Sequence, residues 1–257
     1  SPTGLNSSAA ILTVNNPVAI TTQPISTSIC EGTDVTFTSA ATGTGLTYQW
    51  QQSIDGGSIW TNVTGANNAS LTLTAVAISL NNNQYRVNAT GTCTPAGINS
   101  NVAILTVNSL VTIATHPASN AVCAGLNMAF SVSASGTGLT HQWQESTDAG
   151  VTWSNITGAT SATLTLTAVT TSMNNYRYRA VLNGTCTVNL NSSAAILTVN
   201  TPVSITKQPV NTSVCRGSNM SFTVTATGTT ITYQWQVSIN GNPFNNLTNS
   251  APYSGVT

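Results

Sequence analysis

The chain has 257 residues, of which only 4 % are Asp, Glu, Lys or Arg, and its five basic and five acidic side chains balance to zero net charge. An ordinary globular chain carries about 25 % charged residues, so solubility rests here on Thr, Ser, Asn and Gln, and a nucleic acid or an anionic membrane finds no basic surface to bind. No run approaches the roughly 18 apolar residues of a membrane span, so no membrane insertion is expected, and the first residues lack the basic start and apolar block of a signal peptide.

The opening stretch, Asn6 to Asn15, is identical to Asn191 to Asn200. Residues 1–15 are therefore expected to be the last strand of a preceding copy of a repeated unit. The first full copy spans 16–108. Pro17 to Pro24 encloses Val18 and Ile20 and suits an edge strand that needs no complete ladder. After a turn at Cys30-Glu31-Gly32, Val35, Phe37, Ser39 and Ala41 alternate strictly and predict a strand with one buried face. Gly43-Thr44-Gly45 breaks the chain, and Leu46, Tyr48 and Trp50 alternate again up to Asp55-Gly56-Gly57, a hairpin signal. Trp60 begins the return strand. Leu71 to Thr74 is a further strand, Asn81 to Asn83 turn into Tyr85-Arg86-Val87, Gly91 to Gly97 is a loop, and Val102 to Val107 is the last strand.

The same pattern returns over 109–200, and its first part over 201–257. Met128, Phe130 and Val132, then Met220, Phe222 and Val224, take the places of Val35, Phe37 and Ser39. Cys30, Cys123 and Cys215 recur at spacings of 93 and 92 residues, with Trp50, Trp143 and Trp235 each 20 residues further on. A period of that length means whole domains in tandem rather than a solenoid of small units. Seven or more short strands per copy without a helical period predict an all-β fold of Greek-key sandwiches.

Trp50 on the third strand and Tyr85 at the start of a later one resemble the core tryptophan and tyrosine corner of immunoglobulin domains. Trp143, Trp235 and Tyr178 are their equivalents. The phrase Tyr48-Gln49-Trp50-Gln51, followed by Asp55-Gly56-Gly57, Trp60 and the ending Ala103-Ile104-Leu105-Thr106-Val107, resembles the tandem Ig-like repeats of very large secreted surface proteins of Bacteroidota. Among these are gliding-motility adhesins exported by type IX secretion. The resemblance implies a rod of tandem immunoglobulin-like sandwiches, an extracellular place on the cell surface, and a structural or adhesive stalk. Its partners would be neighbouring repeats of the same long chain, a surface polysaccharide, or lateral self-association. Carbohydrate-binding or spacer modules of a secreted enzyme are the alternative.

Five cysteines at recurring places read as a disulfide framework in an oxidising compartment, with zinc the weaker reading. They do not sit where an immunoglobulin domain puts its disulfide, since those positions hold Ser39 and Val87. In an immunoglobulin topology, the start of strand B, near Cys30, and the end of strand F, near Cys93, lie some 20–30 Å apart. A disulfide needs Cα atoms within about 7 Å. Head-to-tail copies would instead bring Cys30 to Cys186, leaving Cys93, Cys123 and Cys215 to partners outside the segment. An intradomain Cys30 to Cys93 bridge, through a bent strand or a different topology, stays open as the alternative.

No constellation of catalytic residues stands out. The acids Glu31, Asp34, Asp55, Glu145 and Asp148 fall in turns, where Asp55 and Asp148 serve the same hairpin. The histidines His116 and His141 do not recur, so neither an enzyme activity nor a cofactor or metal is expected. Asn62, Asn155 and Asn246 head equivalent Asn-x-Thr sequons and are candidate glycan sites. Trp60 and Trp153, with Phe244 in the third copy, offer either a sugar-stacking row or packing across the sandwich edge, packing being preferred.

Overall fold

The computed structural model describes residues 4–255; the extreme ends of the first and last predicted segments, 1–3 and 256–257, lie outside them. Contacts gather into two compact units. Unit 1 holds residues up to Thr112 together with Ala134–Thr140 and Leu182–Leu190, and unit 2 holds Ile113–Ser133, His141–Val181 and the chain from Asn191 onward.

In the first copy the strands run β1 (Ala19–Thr22), β2 (Thr27–Cys30), β3 (Val35–Thr38), β4 (Ala40–Thr42), β5 (Thr47–Ser53), β6 (Thr61–Asn62), β7 (Ser70–Leu73), β8 (Gln84–Gly91), β9 (Thr94–Asn99) and β10 (Ala103–Asn108). One sheet has the order β2-β10-β8-β5-β6, with β9 also on β8, and is faced by the pairs β3-β7 and β1-β4. All these ladders are antiparallel except that of β10 and β2, which is parallel and registers Asn108 against Cys30. Two apolar faces thus close on one core, the arrangement of an immunoglobulin-like sandwich.

The core follows from strand alternation. Val35 and Phe37 point inward from β3, Leu71 from β7, Tyr85, Val87 and Ala89 from β8, and Trp50 is fully buried on β5. Trp50 is tied down by more than packing. Its indole N–H donates to the Asn68 carbonyl (2.9 Å), and its backbone pairs with Ala66 and Val63.

The second copy repeats the order with β11 (Thr112–Thr115), β12 (Asn120–Cys123), β13 (Met128–Ser131), β14 (Ser133–Ser135), β15 (Thr140–Ser146), β16 (Ser154–Asn155), β17 (Thr163–Leu166), β18 (Arg177–Gly184), β19 (Thr187–Asn191) and β20 (Ala195–Asn200). Its sheet order is β12-β20-β18-β15-β16. Trp143, Phe130 and Tyr178 are buried as Trp50, Phe37 and Tyr85 are, and the Trp143 indole donates to the Ser161 carbonyl at 2.9 Å. Beyond it, β21 (Ser204–Lys207) pairs with β22 (Thr225–Thr227) and β23 (Gln236–Val237) with β24 (Asn245–Asn246).

Several expectations need correction. The predicted strand from Val35 to Ala41 is two strands. Ser39 is buried between them and its hydroxyl donates to the Thr22 carbonyl (2.9 Å), so the chain leaves β7 for β1 at that point. Gly91 to Gly97 is not an open loop but a tight turn at Thr92-Cys93 leading into β9. Tyr85 and Tyr178 occupy the expected core places without acting as tyrosine corners. Their rings stack on Phe37 and Phe130, at 5.1 and 5.2 Å, and their hydroxyls are buried with no hydrogen-bond partner among the described residues.

Trp235 is only partly buried, and Met220 and Phe222 beside it are 43 % and 48 % exposed. The described part of that copy contains no equivalent of β8 or β10, the strands that seal Trp50. Residues 4–15 form no strand either. A last strand draws its hydrogen bonds from neighbours such as β2 and β8, and this stretch lies against no such pair.

Candidate functional site

Two features recur or stand out on this scaffold. One is a cross-link, the other a half-buried polar and aromatic face.

Cys30 closes β2, where the ladder to β10 ends. Just beyond it the Glu31 N–H donates to the Asn108 carbonyl (2.9 Å) and the Gly32 N–H to the Val76 carbonyl (2.8 Å), which fixes the strand end. Cys186 sits in the two-residue turn between β18 and β19. That turn is also held, by the Thr185 N–H on the Thr137 carbonyl (2.8 Å) and by the Thr187 hydroxyl accepting from the Val111 N–H (2.9 Å). Both cysteines belong to unit 1. They are bonded, with S–S 1.99 Å and Cα atoms 5.6 Å apart across 156 residues of sequence. A strand end in the first copy is therefore stapled to the hairpin tip of the second. Cys93, at the equivalent tip of the first copy, is exposed and free, as are Cys123 and Cys215; the Cys93 thiol lies 3.5 Å from the Asn15 carbonyl.

The face lies on β5, β6 and β8. Residues that alternate with the core point outward, in the facing pairs Thr47 and Thr90, Gln49 and Asn88, Gln51 and Arg86. The Arg86 guanidinium stacks 4.1 Å from the centre of the Trp60 ring. Its Nε–H donates to Gln51 Oε1 (2.9 Å), and the Gln51 amide donates in turn to Asn62 Oδ1 (3.0 Å). The Trp60 indole N–H donates to the Gly57 carbonyl (3.0 Å), so the ring is locked to its own hairpin. The second copy repeats each contact: Arg179 lies 4.2 Å over Trp153, on Gln144, on Asn155, with the Trp153 N–H on Gly150. In the third copy Gln236 still donates to Asn246 (2.8 Å), and Phe244 is 68 % exposed.

The hairpin below this stack is built by aspartate. Asp55 accepts from the Ile59 N–H and the Ser53 hydroxyl, and these bonds hold its carboxyl below the ordinary value. Asp148 accepts from the Thr152 hydroxyl and N–H and from the Ser146 hydroxyl, which lowers its carboxyl further. Their oxygens are committed to the turn. Among the described residues no group of three or more His, Cys, Asp or Glu side chains is placed to hold a metal, and no helix is long and apolar enough to cross a membrane. Burial pushes the Tyr85 and Tyr178 hydroxyls above their ordinary range, which keeps them neutral core groups.

The three sequons Asn62, Asn155 and Asn246 are exposed, but each side-chain amide oxygen already accepts from a glutamine across the strand pair. Arg86 and Arg179, absent from the residues singled out by sequence, are brought to Trp60 and Trp153 by the register of β5 against β8. Their shared spacing of 93 residues was the available signal.

A protein-family profile described as a domain of unknown function (DUF8696) matches residues 18–109 and again 112–201. No curated protein matches the chain in sequence. Among solved structures, the chain is similar to a three-Ig structure of titin domains in a mutated variant, at 17 % identity and TM-score 0.60, covering 93 % of this chain and 84 % of that one. It is similar also to an I-band fragment from titin, at 16 % identity and TM-score 0.55, with 90 % and 86 % covered. At such identities the likeness is one of fold: tandem immunoglobulin-like domains.

Proposed function

The chain belongs to the DUF8696 family, and we propose that it is a non-catalytic stalk segment, structural and adhesive, of a large bacterial surface protein or filament. The observation that carries this reading is the Cys30–Cys186 bond. A cross-link inside one sandwich core would protect that domain alone. One that runs from a strand end of one copy to a hairpin tip of the next withholds the whole intervening sequence from a pulling force, and it suits a chain that transmits load outside the cell, where disulfides persist.

The low charge supports the same role. With so few ionic groups, contacts between neighbouring repeats depend little on salt. The oxygens of Asp55 and Asp148 are engaged by their own hairpins rather than turned to acid–base work. The repeat phrase from Tyr48 to Trp60 leads us to place the parent among secreted Bacteroidota surface proteins of the gliding-motility adhesin type, with neighbouring repeats as immediate partners. The test is display on the cell. Antibodies raised against the chain are expected to label intact, unpermeabilised cells, and labelling only after lysis would overturn the reading.

A further inference from the structure

We propose that the outward face around Arg86, and its repeat around Arg179, binds the carboxylates of an acidic polysaccharide; this rests on the adhesive reading above and names its ligand class. Cationic side chains are scarce in this chain, five in all, and two of them are spent on one arrangement made twice. In each, the guanidinium is laid flat on an indole ring and held there by one bond from Nε to a glutamine. That bond uses one of the five guanidinium N–H donors. The remaining four, on the two terminal nitrogens, meet no acceptor among the described residues, and neither arginine is ion-paired there. The aspartates of the adjoining hairpins are turned to their own backbone.

A stacked, oriented guanidinium with both terminal nitrogens free presents the fork that a carboxylate fills with two parallel hydrogen bonds. Orientation matters because little side-chain freedom is then lost on binding. The indole, covered on one face by the guanidinium, is the support rather than the sugar platform. Beside the fork, the Asn88–Asn99 amide pair (2.9 Å) lies on the outward side of the strands, with the Thr47–Thr90 hydroxyl pair (2.6 Å) beyond it. These amides and hydroxyls match sugar hydroxyls, which a uronate chain carries beside its carboxylates and an acidic polypeptide such as polyglutamate does not. The ligand class is accordingly a uronate-bearing polysaccharide.

The test uses the intact, disulfide-bonded chain over immobilised polygalacturonate, dextran and polyglutamate, read by biolayer interferometry at low and high salt. Polygalacturonate is expected to bind, more weakly as salt rises, and dextran not to bind. Arg86→Gln with Arg179→Gln is expected to weaken binding at least tenfold with an unchanged near-UV circular dichroism spectrum. Arg86→Lys with Arg179→Lys, which keeps the charges and loses the fork, is expected to lose a similar factor, and it carries the test should the glutamine variant unfold. Absence of polygalacturonate binding, equal binding to dextran, capture by polyglutamate alone, or full binding by both double variants would each overturn the proposal. Surface labelling is scored separately, so a chain that is displayed but binds no uronate refutes this inference and leaves the stalk reading standing.

Discussion

Pulling the chain by its two ends in an optical trap reads the cross-link as a length. Cys30 and Cys186 lie 156 residues apart in sequence yet 5.6 Å apart in space. While they are bonded, the residues between them bear no load even when every strand has melted. An extended residue spans about 3.3–3.6 Å, so the withheld contour is about 510–560 Å. Cys30→Ser with Cys186→Ser, or reductant added to the parent chain, is expected to lengthen the fully unfolded tether by that amount. The parent under oxidising conditions should extend only through the segments before Cys30 and after Cys186. An oxidised chain that reaches the same length as the double serine variant would refute the reasoning.

Other perturbations act on single copies. Trp50→Ala empties a fully buried site and removes the indole bond to Asn68, and is expected to cost about 3–5 kcal/mol in urea unfolding of the first copy; a loss under about 1 kcal/mol would mean that Trp50 is not central to that core. Asp148, with its carboxyl held below the ordinary value by Thr152 and Ser146, gives stability that is complete above the unfolded value of about 3.9 and is lost as pH falls through the folded one. Asp148→Asn should lower stability at neutral pH and flatten its decline below about pH 4, as followed by acid titration of thermal unfolding. Gly136 has φ +152, and a Cβ there would stand 2.7 Å from Val111 Cα, a backbone atom. Gly136→Ala is expected to destabilise by more than about 1 kcal/mol in denaturant titration, and an unchanged midpoint would show that the backbone yields.

What the sequence made legible follows its local periodicities. Alternation from Val35 and around Trp50 predicts strands because it reports which side of a strand meets a core, and Asp55-Gly56-Gly57 marks its turn because the conformation needs those residues. The break at Ser39 was not legible. A serine between inward-facing residues reads as one more strand position, and only the bond to Thr22 reveals that the chain changes partner there. The Arg86–Trp60 stack was hidden for a similar reason. The two residues are 26 apart in sequence and meet only through strand register, which is set by the entire sandwich. Trp235 shows the converse, since the same residue in the same phrase is left partly open when no strands equivalent to β8 and β10 lie over it. Tyr85 is buried, with its ring stacked 5.1 Å from that of Phe37, a contact between strands that sequence spacing does not show.

The most direct test of the account is a peptide map of the unreduced protein. The account predicts a peptide containing Cys30 joined to one containing Cys186. A Cys30 to Cys93 bridge would confine the cross-link to one copy and contradict the claim that successive copies are covalently stapled.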